Sequence, residues 1–205
     1  MAATFGVLVS GNGTNLQAIL DAVAQGRLEA RVGIVISNKA DVPALERARR
    51  AGVPSVVISH QGQPSREAFD AELVRALRGA GVDWVVLAGF MRLLTPVFLQ
   101  AYAGRVVNVH PALLPAFPGV NAQRQALEHG VKISGCTVHF VDTGVDTGPI
   151  IAQRAVPVLP GDNEASLSDR IHAVEHELLV EVLSDIARGQ LTRLAIPDGG
   201  EPARQ

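Results

Sequence analysis

Phe5-Gly6-Val7-Leu8-Val9-Ser10-Gly11-Asn12-Gly13-Thr14-Asn15-Leu16 carries two periodicities in succession. Residues 5–9 are a short apolar run ending in a loop that contains Gly11 and Gly13. Beyond it Leu16, Ile19, Leu20 and Val23 recur at helical spacing. The stretch predicts a strand, a tight loop and a helix. The same unit follows at residues 32–36, where Asp41 and Pro43 suit the start of a helix that carries Leu45 and Ala48 inward. Residues 56–58 supply a third strand, Phe69, Leu73 and Leu77 mark the next helix, and residues 84–88 are a fully apolar fourth strand. Strands alternating with helices predict an α/β fold with a Rossmann-like, mostly parallel twisted sheet.

Further along, a short helix is expected near residues 96–102 and a fifth strand over residues 105–109. That strand runs into His110-Pro111-Ala112-Leu113-Leu114-Pro115-Ala116-Phe117-Pro118-Gly119, where three prolines argue for a rigid loop. Cys136, Val138 and Phe140 alternate with Thr137, His139 and Val141, and residues 150–156 alternate similarly, so the two segments are expected to pair as a C-terminal antiparallel hairpin. Asp162 or Asn163 can cap a long helix with a stripe of Leu167, Ile171, Val174, Leu178, Val182 and Ile186. Residues 1–195 are read as one domain and residues 196–205 as a loose polar tail.

Composition narrows the partners. With 18 basic against 20 acidic side chains, the net charge of −2 offers no broad attraction to nucleic acid. The single cysteine, Cys136, allows no internal disulfide and suits a reducing compartment. No apolar run approaches the ~20 residues of a membrane span, and no basic leader precedes a long apolar stretch. A cytoplasmic protein is expected.

Ligands of a parallel sheet gather at the carboxyl ends of its strands, where the first loop sits. Its glycines let the main chain approach an anion, and the N–H groups opening the helix, with the Thr14 hydroxyl and Asn15 amide, can donate to phosphate oxygens. A dinucleotide is the rival ligand. The third glycine of that fingerprint falls at Leu16, and Ser37-Asn38-Lys39 ends the second strand without an acidic ribose ligand. A tight βα turn with no ligand is the plainer alternative.

Asn108 and His110 are two residues apart on the fifth strand, so they share a face while Val107 and Val109 take the other. An amide beside an imidazole can donate to an oxygen that gains charge in acyl transfer, and the imidazole can move a proton. Asp142 and Asp146 lie in the hairpin connection, and either could return to orient the imidazole.

Four segments in this order resemble the glycinamide ribonucleotide formyltransferases of purine synthesis, over the chain to about residue 195. They are Ser10-Gly11-Asn12-Gly13-Thr14-Asn15-Leu16-Gln17; Ala88-Gly89-Phe90-Met91-Arg92-Leu93-Leu94; Asn108-Val109-His110-Pro111-Ala112-Leu113-Leu114-Pro115; and Val138-His139-Phe140-Val141 followed by Asp146-Thr147-Gly148-Pro149-Ile150. The resemblance implies the formyltransferase fold and transfer of a formyl group from 10-formyltetrahydrofolate, a co-substrate, to the amine of 5-phosphoribosyl-glycinamide, with no metal. It implies that Gly13, Thr14 and Asn15 hold the phosphate end and Glu175 the ribose or glycinamide part. Arg66, Met91, Arg92, Leu93 and Leu94 would meet the folate, together with Asn108. Asn108, His110 and Asp146 would be catalytic, Asp146 rather than Asp142 matching the family's aspartate. A homodimer is compatible with it.

Residue by residue, plainer roles remain. Arg66 suits a surface helix start, Met91, Leu93 and Leu94 suit a core, His139 is read as a structural strand residue, and His60, His129, His172 and His176 are unassigned. Residues 120–123 depart from the family pattern and receive no role. A formyltetrahydrofolate hydrolase needs no phosphate loop, and a formyltransferase acting on initiator tRNA would carry an RNA-contacting domain and a basic surface. A non-enzymatic folate or nucleotide binder is the third alternative.

Overall fold

A computed structural model of the chain describes residues 2–192, so the tail expected at residues 196–205 lies outside the described residues. In the seven-stranded sheet the strands, counted along the chain, stand in the order third, second, first, fourth, fifth, sixth, seventh. The strands β1 (Thr4–Val9), β2 (Arg31–Ser37), β3 (Ser55–Val57), β4 (Trp84–Leu87) and β5 (Val106–His110) are parallel. The strands β6 (Ile133–Phe140) and β7 (Ile150–Pro157) are added antiparallel, as the hairpin reading expects. The chain builds outward from β1 to β3 and then restarts on the other side with β4, so strand order reverses between β1 and β4. Crevices at such reversals are where parallel sheets bind ligands.

Period-two alternation sorts the strands onto two apolar layers. Phe5, Val7, Val9, Val86, Val107, Val109, Cys136 and Val138 face one cluster, closed by Leu16, Ile19 and Leu20 of α1 (Thr14–Ala24) and by Leu167, Ile171, Leu178 and Leu179 of α6 (Glu164–Ala187). Leu8, Ile36, Val85, Leu87 and Val106 face the other, under Phe69, Leu73 and Leu77 of α3 (Arg66–Gly79) and Phe98 of α4 (Pro96–Ala101). Both faces are covered, which is why these strands read as continuous apolar runs. Gly6 belongs to the second layer, where a Cβ would collide with the Leu77 side chain.

Local chemistry fixes the helix ends. Ser65 accepts from Ala68 N at 3.1 Å to start α3, and Asn163, rather than Asp162, caps α6 in a reciprocal pair with Ser166. Asp162 instead takes the Arg170 fork at 2.7 and 3.0 Å. The helix α2 (Pro43–Arg50) starts on Pro43 with Val42, not Asp41, as its cap residue. The helix α5 (Ala122–Glu128) has no counterpart in the sequence reading, its apolar stripe being only Ala122, Ala126 and Leu127.

Candidate active site

The parallel and antiparallel halves of the sheet meet at the end of β5. Asn108 pairs with Leu87 on one side and His139 on the other, and His110 pairs with Thr137. Val107 and Val109 point into the first apolar layer, so Asn108, His110, Thr137 and His139 share the opposite face. The proline-rich loop after His110 is held there by side chains: Leu114 N donates to Thr137 Oγ1 at 3.0 Å, Thr137 donates to the Ala112 carbonyl at 2.7 Å, and Gln153 Nε2 donates to the Leu114 carbonyl at 2.8 Å.

Into this face Asp146 returns from the β6–β7 connection. Its backbone is left-handed, with φ 54. Oδ2 accepts from Gly119 N at 2.8 Å and lies 3.3 Å from His110 Nδ1, while Oδ1 lies 3.4 Å from Asn108 Nδ2 and 3.6 Å from His139 Nε2. Burial alone would raise the Asp146 carboxyl; the His139 ring and the Gly119 N–H at its oxygens, with His110 beside it, outweigh that and hold it below the usual carboxylate range. The other loop carboxylate, Asp142, accepts from Gly144 N at 3.0 Å and Thr147 Oγ1 at 2.7 Å and shapes the loop instead.

His110 is buried, and its Nε2 donates to the Phe117 carbonyl at 2.8 Å, so that carbonyl must yield or share before a substrate oxygen uses the same N–H. His139 Nδ1 donates to the Phe140 carbonyl at 2.8 Å, which leaves Nε2 facing Asn108 Nδ2 at 3.1 Å. His139 is therefore more than a strand residue: it fixes the Asn108 amide. Strand alternation alone could place His139 on the Asn108 face only once the β5–β6 register was known.

On the other side of β1, the first loop turns into α1 through Gly13, at φ 72 and ψ 35. A Cβ there would come within 2.6 Å of the Ala44 methyl, so Gly13 is demanded by backbone conformation and packing as well as by any anion. Gly11 has open space: among the described residues nothing lies within 4 Å of a Cβ built on it. Asn15 follows, with its Oδ1 buried and unpartnered among the described residues, and its amide neighbours Glu175 of α6. Burial pushes the Glu175 carboxyl up to about 7, with the Asn15 amide opposing the shift. His172 Nε2 stands 3.8 Å from Glu175 Oε2.

After β4, residues 88–95 are pinned along their length. Met91 N donates to Ser10 Oγ at 2.9 Å, Arg66 Nη2 to the Leu93 carbonyl at 3.0 Å, and Thr95 N to the buried carboxylate of Asp70 at 2.6 Å. Ser10 in turn donates to Asn38 Oδ1 at 2.6 Å, so one hydroxyl joins the loops on the two sides of the crevice. Met91 is 65% exposed and Leu93 49%, which leaves large apolar surface at the crevice, whereas Leu94 is buried in the second apolar layer. Of the segment's expected ligand contacts, Leu94 is thus a core residue, and Arg66 acts on the segment through the Leu93 backbone. Arg92 Nε is buried without a partner among the described residues.

A family model described as formyl transferase matches residues 4–183. The chain is 48% identical over 185 residues to the phosphoribosylglycinamide formyltransferase of Escherichia coli (strain K12), covering 90% of this chain and 87% of that one. The chain belongs to the phosphoribosylglycinamide formyltransferase family. The crystal structure of glycinamide ribonucleotide transformylase 1 from Symbiobacterium toebii matches it with a TM-score of 0.91 at 56% identity, covering 93% of this chain and 90% of that one. The chain is also 55% identical over 195 residues to the trifunctional purine biosynthetic protein adenosine-3 of Drosophila melanogaster, of whose length it spans 14%.

The formyl transferase family uses formyl folate as co-substrate. Three elements of this family member escaped the sequence reading: the His139 contact to Asn108, the Ser10–Asn38 bridge, and the Phe117 carbonyl with Gly119 N–H that meet His110 and Asp146. Each depends on residues brought together across the sheet or by the proline-rich loop, which periodicity cannot register. Among the described residues no group of three or more His, Cys, Asp and Glu is arranged to hold a metal ion, and no helix is long and apolar enough to cross a membrane.

Proposed function

We propose that this protein transfers the formyl group of 10-formyltetrahydrofolate to the amine of 5-phosphoribosyl-glycinamide. The observation that carries the reading is the convergence of Asn108, His110 and Asp146 at the end of β5, within 3.4 Å of one another through Asp146. The phosphate end lies on the amides of Gly13, Thr14 and Asn15, and Glu175 faces the ribose or glycinamide part. The folate lies along Met91, Arg92 and Leu93, with Arg66 and Leu94 supporting that segment from beneath.

In the reaction, the uncharged amine attacks the formyl carbon and forms a carbon–nitrogen bond. The carbonyl oxygen gains charge and takes donors from Asn108 Nδ2 and the His110 imidazolium. The carbon–nitrogen bond to the folate then breaks, and the proton lost by the amine passes through His110 or water to the folate nitrogen. Atoms and charge balance with these groups alone. Asn108 has a donor to give because its 3.4 Å contact to Asp146 is long for a hydrogen bond. The single buried thiol, Cys136, fits a cytoplasmic setting.

The test follows labelled formyl carbon with both substrates present. Label recovered on the phosphorylated glycinamide, one for each tetrahydrofolate released, is the expected result. Label recovered as formate at a rate independent of the glycinamide substrate would identify a hydrolase instead.

A further inference from the structure

The first loop leans on α2 at three points. Ala44 N donates to the Gly11 carbonyl at 3.2 Å, Arg47 Nε donates to the Asn12 carbonyl at 2.8 Å, and the Ala44 methyl fills the space beneath Gly13. The Arg47 fork also reaches α1, where Nη1 donates to Gln17 Oε1 at 3.1 Å. Arg47 is half-buried and lines, with Thr14, Gln17 and His176, a cavity of about 340 Å³ beside the loop.

Peptide planarity fixes where the N–H groups of this loop point. In a trans peptide the carbonyl of one residue and the N–H of the next point in opposite directions. Drawing the Gly11 and Asn12 carbonyls toward α2 therefore aims the N–H groups of Asn12 and Gly13 away from it. Those two amides, and the amides of Thr14 and Asn15 that open α1, donate to no backbone acceptor among the described residues. A carbonyl left free in this loop could swing toward an incoming anion and repel it.

We propose that Arg47 is a positioning residue for the substrate phosphate. Together with the Ala44 N–H it withdraws two carbonyls from the anion's side and holds the loop amides facing the phosphate oxygens. Nε is committed to the Asn12 carbonyl and Nη1 to Gln17, so two of the three guanidinium nitrogens act on the protein rather than on the anion. This rests on the reading that the loop holds the phosphate end of the substrate.

Steady-state kinetics of Arg47→Ala and Arg47→Lys test it, with inorganic phosphate as competitive inhibitor against the phosphorylated glycinamide. Both variants should raise the KM for that substrate and the inhibition constant of phosphate by about tenfold, the scale of one charge-assisted hydrogen bond. Turnover and the KM for the folate should stay within about twofold. Lysine keeps the charge but cannot reproduce the fork, so wild-type behaviour in Arg47→Lys would overturn positioning in favour of charge alone. Unchanged constants in Arg47→Ala, with phosphate still competing, would overturn any role of Arg47 and leave the phosphate loop standing. Failure of inorganic phosphate to compete in the wild type would remove the phosphate loop itself, and this proposal with it.

Discussion

Asp146 Oδ2 lies 3.3 Å from His110 Nδ1, while the other ring nitrogen, Nε2, meets the Phe117 carbonyl at 2.8 Å. A carboxylate and a carbonyl are both acceptors, so the two ring nitrogens are both satisfied as donors only in the imidazolium. An ionised Asp146 therefore presents an acceptor to His110 Nδ1, so the ring meets an acceptor at each nitrogen beside Asn108. Asp146→Asn keeps the size and removes the charge. Turnover should fall by about 10²-fold or more, with circular dichroism and the thermal midpoint nearly unchanged. Asp142→Asn, whose partners are Gly144 and Thr147, should lower turnover by less than about tenfold. Equal losses in the two variants would separate the reaction from the Asp146–His110 contact.

His139 and Asn108 form a second testable pair, joined at 3.1 Å. Replacing His139 with Phe retains a ring and removes the nitrogen that fixes the amide. A misplaced donor costs rate more than binding, so turnover should fall about tenfold or more with both KM values little changed. Gln at the same position, which can accept from the amide, should recover part of the loss. Wild-type turnover in His139→Phe would return His139 to a purely structural role.

Glu175 gives the fold a pH dependence whose sign is unusual for a carboxylate. Its carboxyl is pushed up to about 7 by burial, from an ordinary 4.5. Between those values the folded chain holds the extra proton. The contribution to stability is complete below 4.5 and is lost as pH rises through about 7. Glu175→Gln stays neutral and removes the slope. Urea titrations between about pH 5 and about pH 8 should therefore show a variant that gains on the wild type as pH rises, by at most about 3 kcal/mol. Parallel curves would mean that the carboxyl titrates alike in both states. The KM for the phosphorylated substrate should rise in the same variant.

The two loop glycines should separate fold from ligand. Gly13→Ala meets the Ala44 methyl and a left-handed backbone, and should cost about 1–3 kcal/mol of stability. Gly11→Val projects into open space, should leave the thermal midpoint nearly unchanged, and should raise the KM for the phosphorylated substrate because the side chain stands where the anion approaches. A Gly11→Val enzyme with a normal KM would move the phosphate elsewhere.

These residues also mark what the sequence makes legible. Apolar runs at residues 5–9, 32–36 and 84–88 fall on β1, β2 and β4 because both sheet faces are buried, and a run apolar on both sides survives any register. The shared face of Asn108 and His110 follows from a two-residue spacing alone. Choosing between Asp142 and Asp146 does not: both sit in one connection, and only the left-handed backbone at Asp146 and the Gly119 N–H bring that carboxylate to the ring. Gly13 reads in sequence as an anion-approach glycine, whereas its neighbour Ala44 comes from the next helix, a contact between segments about thirty residues apart that no local pattern carries. Leu94 shows the opposite limit, since an apolar residue beside exposed Met91 and Leu93 belongs to the core, and spacing of one or two residues in irregular backbone does not tell them apart.

If Asn108 donates to the oxygen that becomes charged during formyl transfer, its loss acts on the chemical step. Single-turnover rates and equilibrium dissociation constants for both substrates in Asn108→Ala test it most directly. The expected result is a chemical step slowed by about 10²–10³ with dissociation constants nearly those of the wild type, because the donor acts on the transition state. A chemical step within about threefold of wild type, or a loss seen wholly as weaker substrate binding, would contradict it.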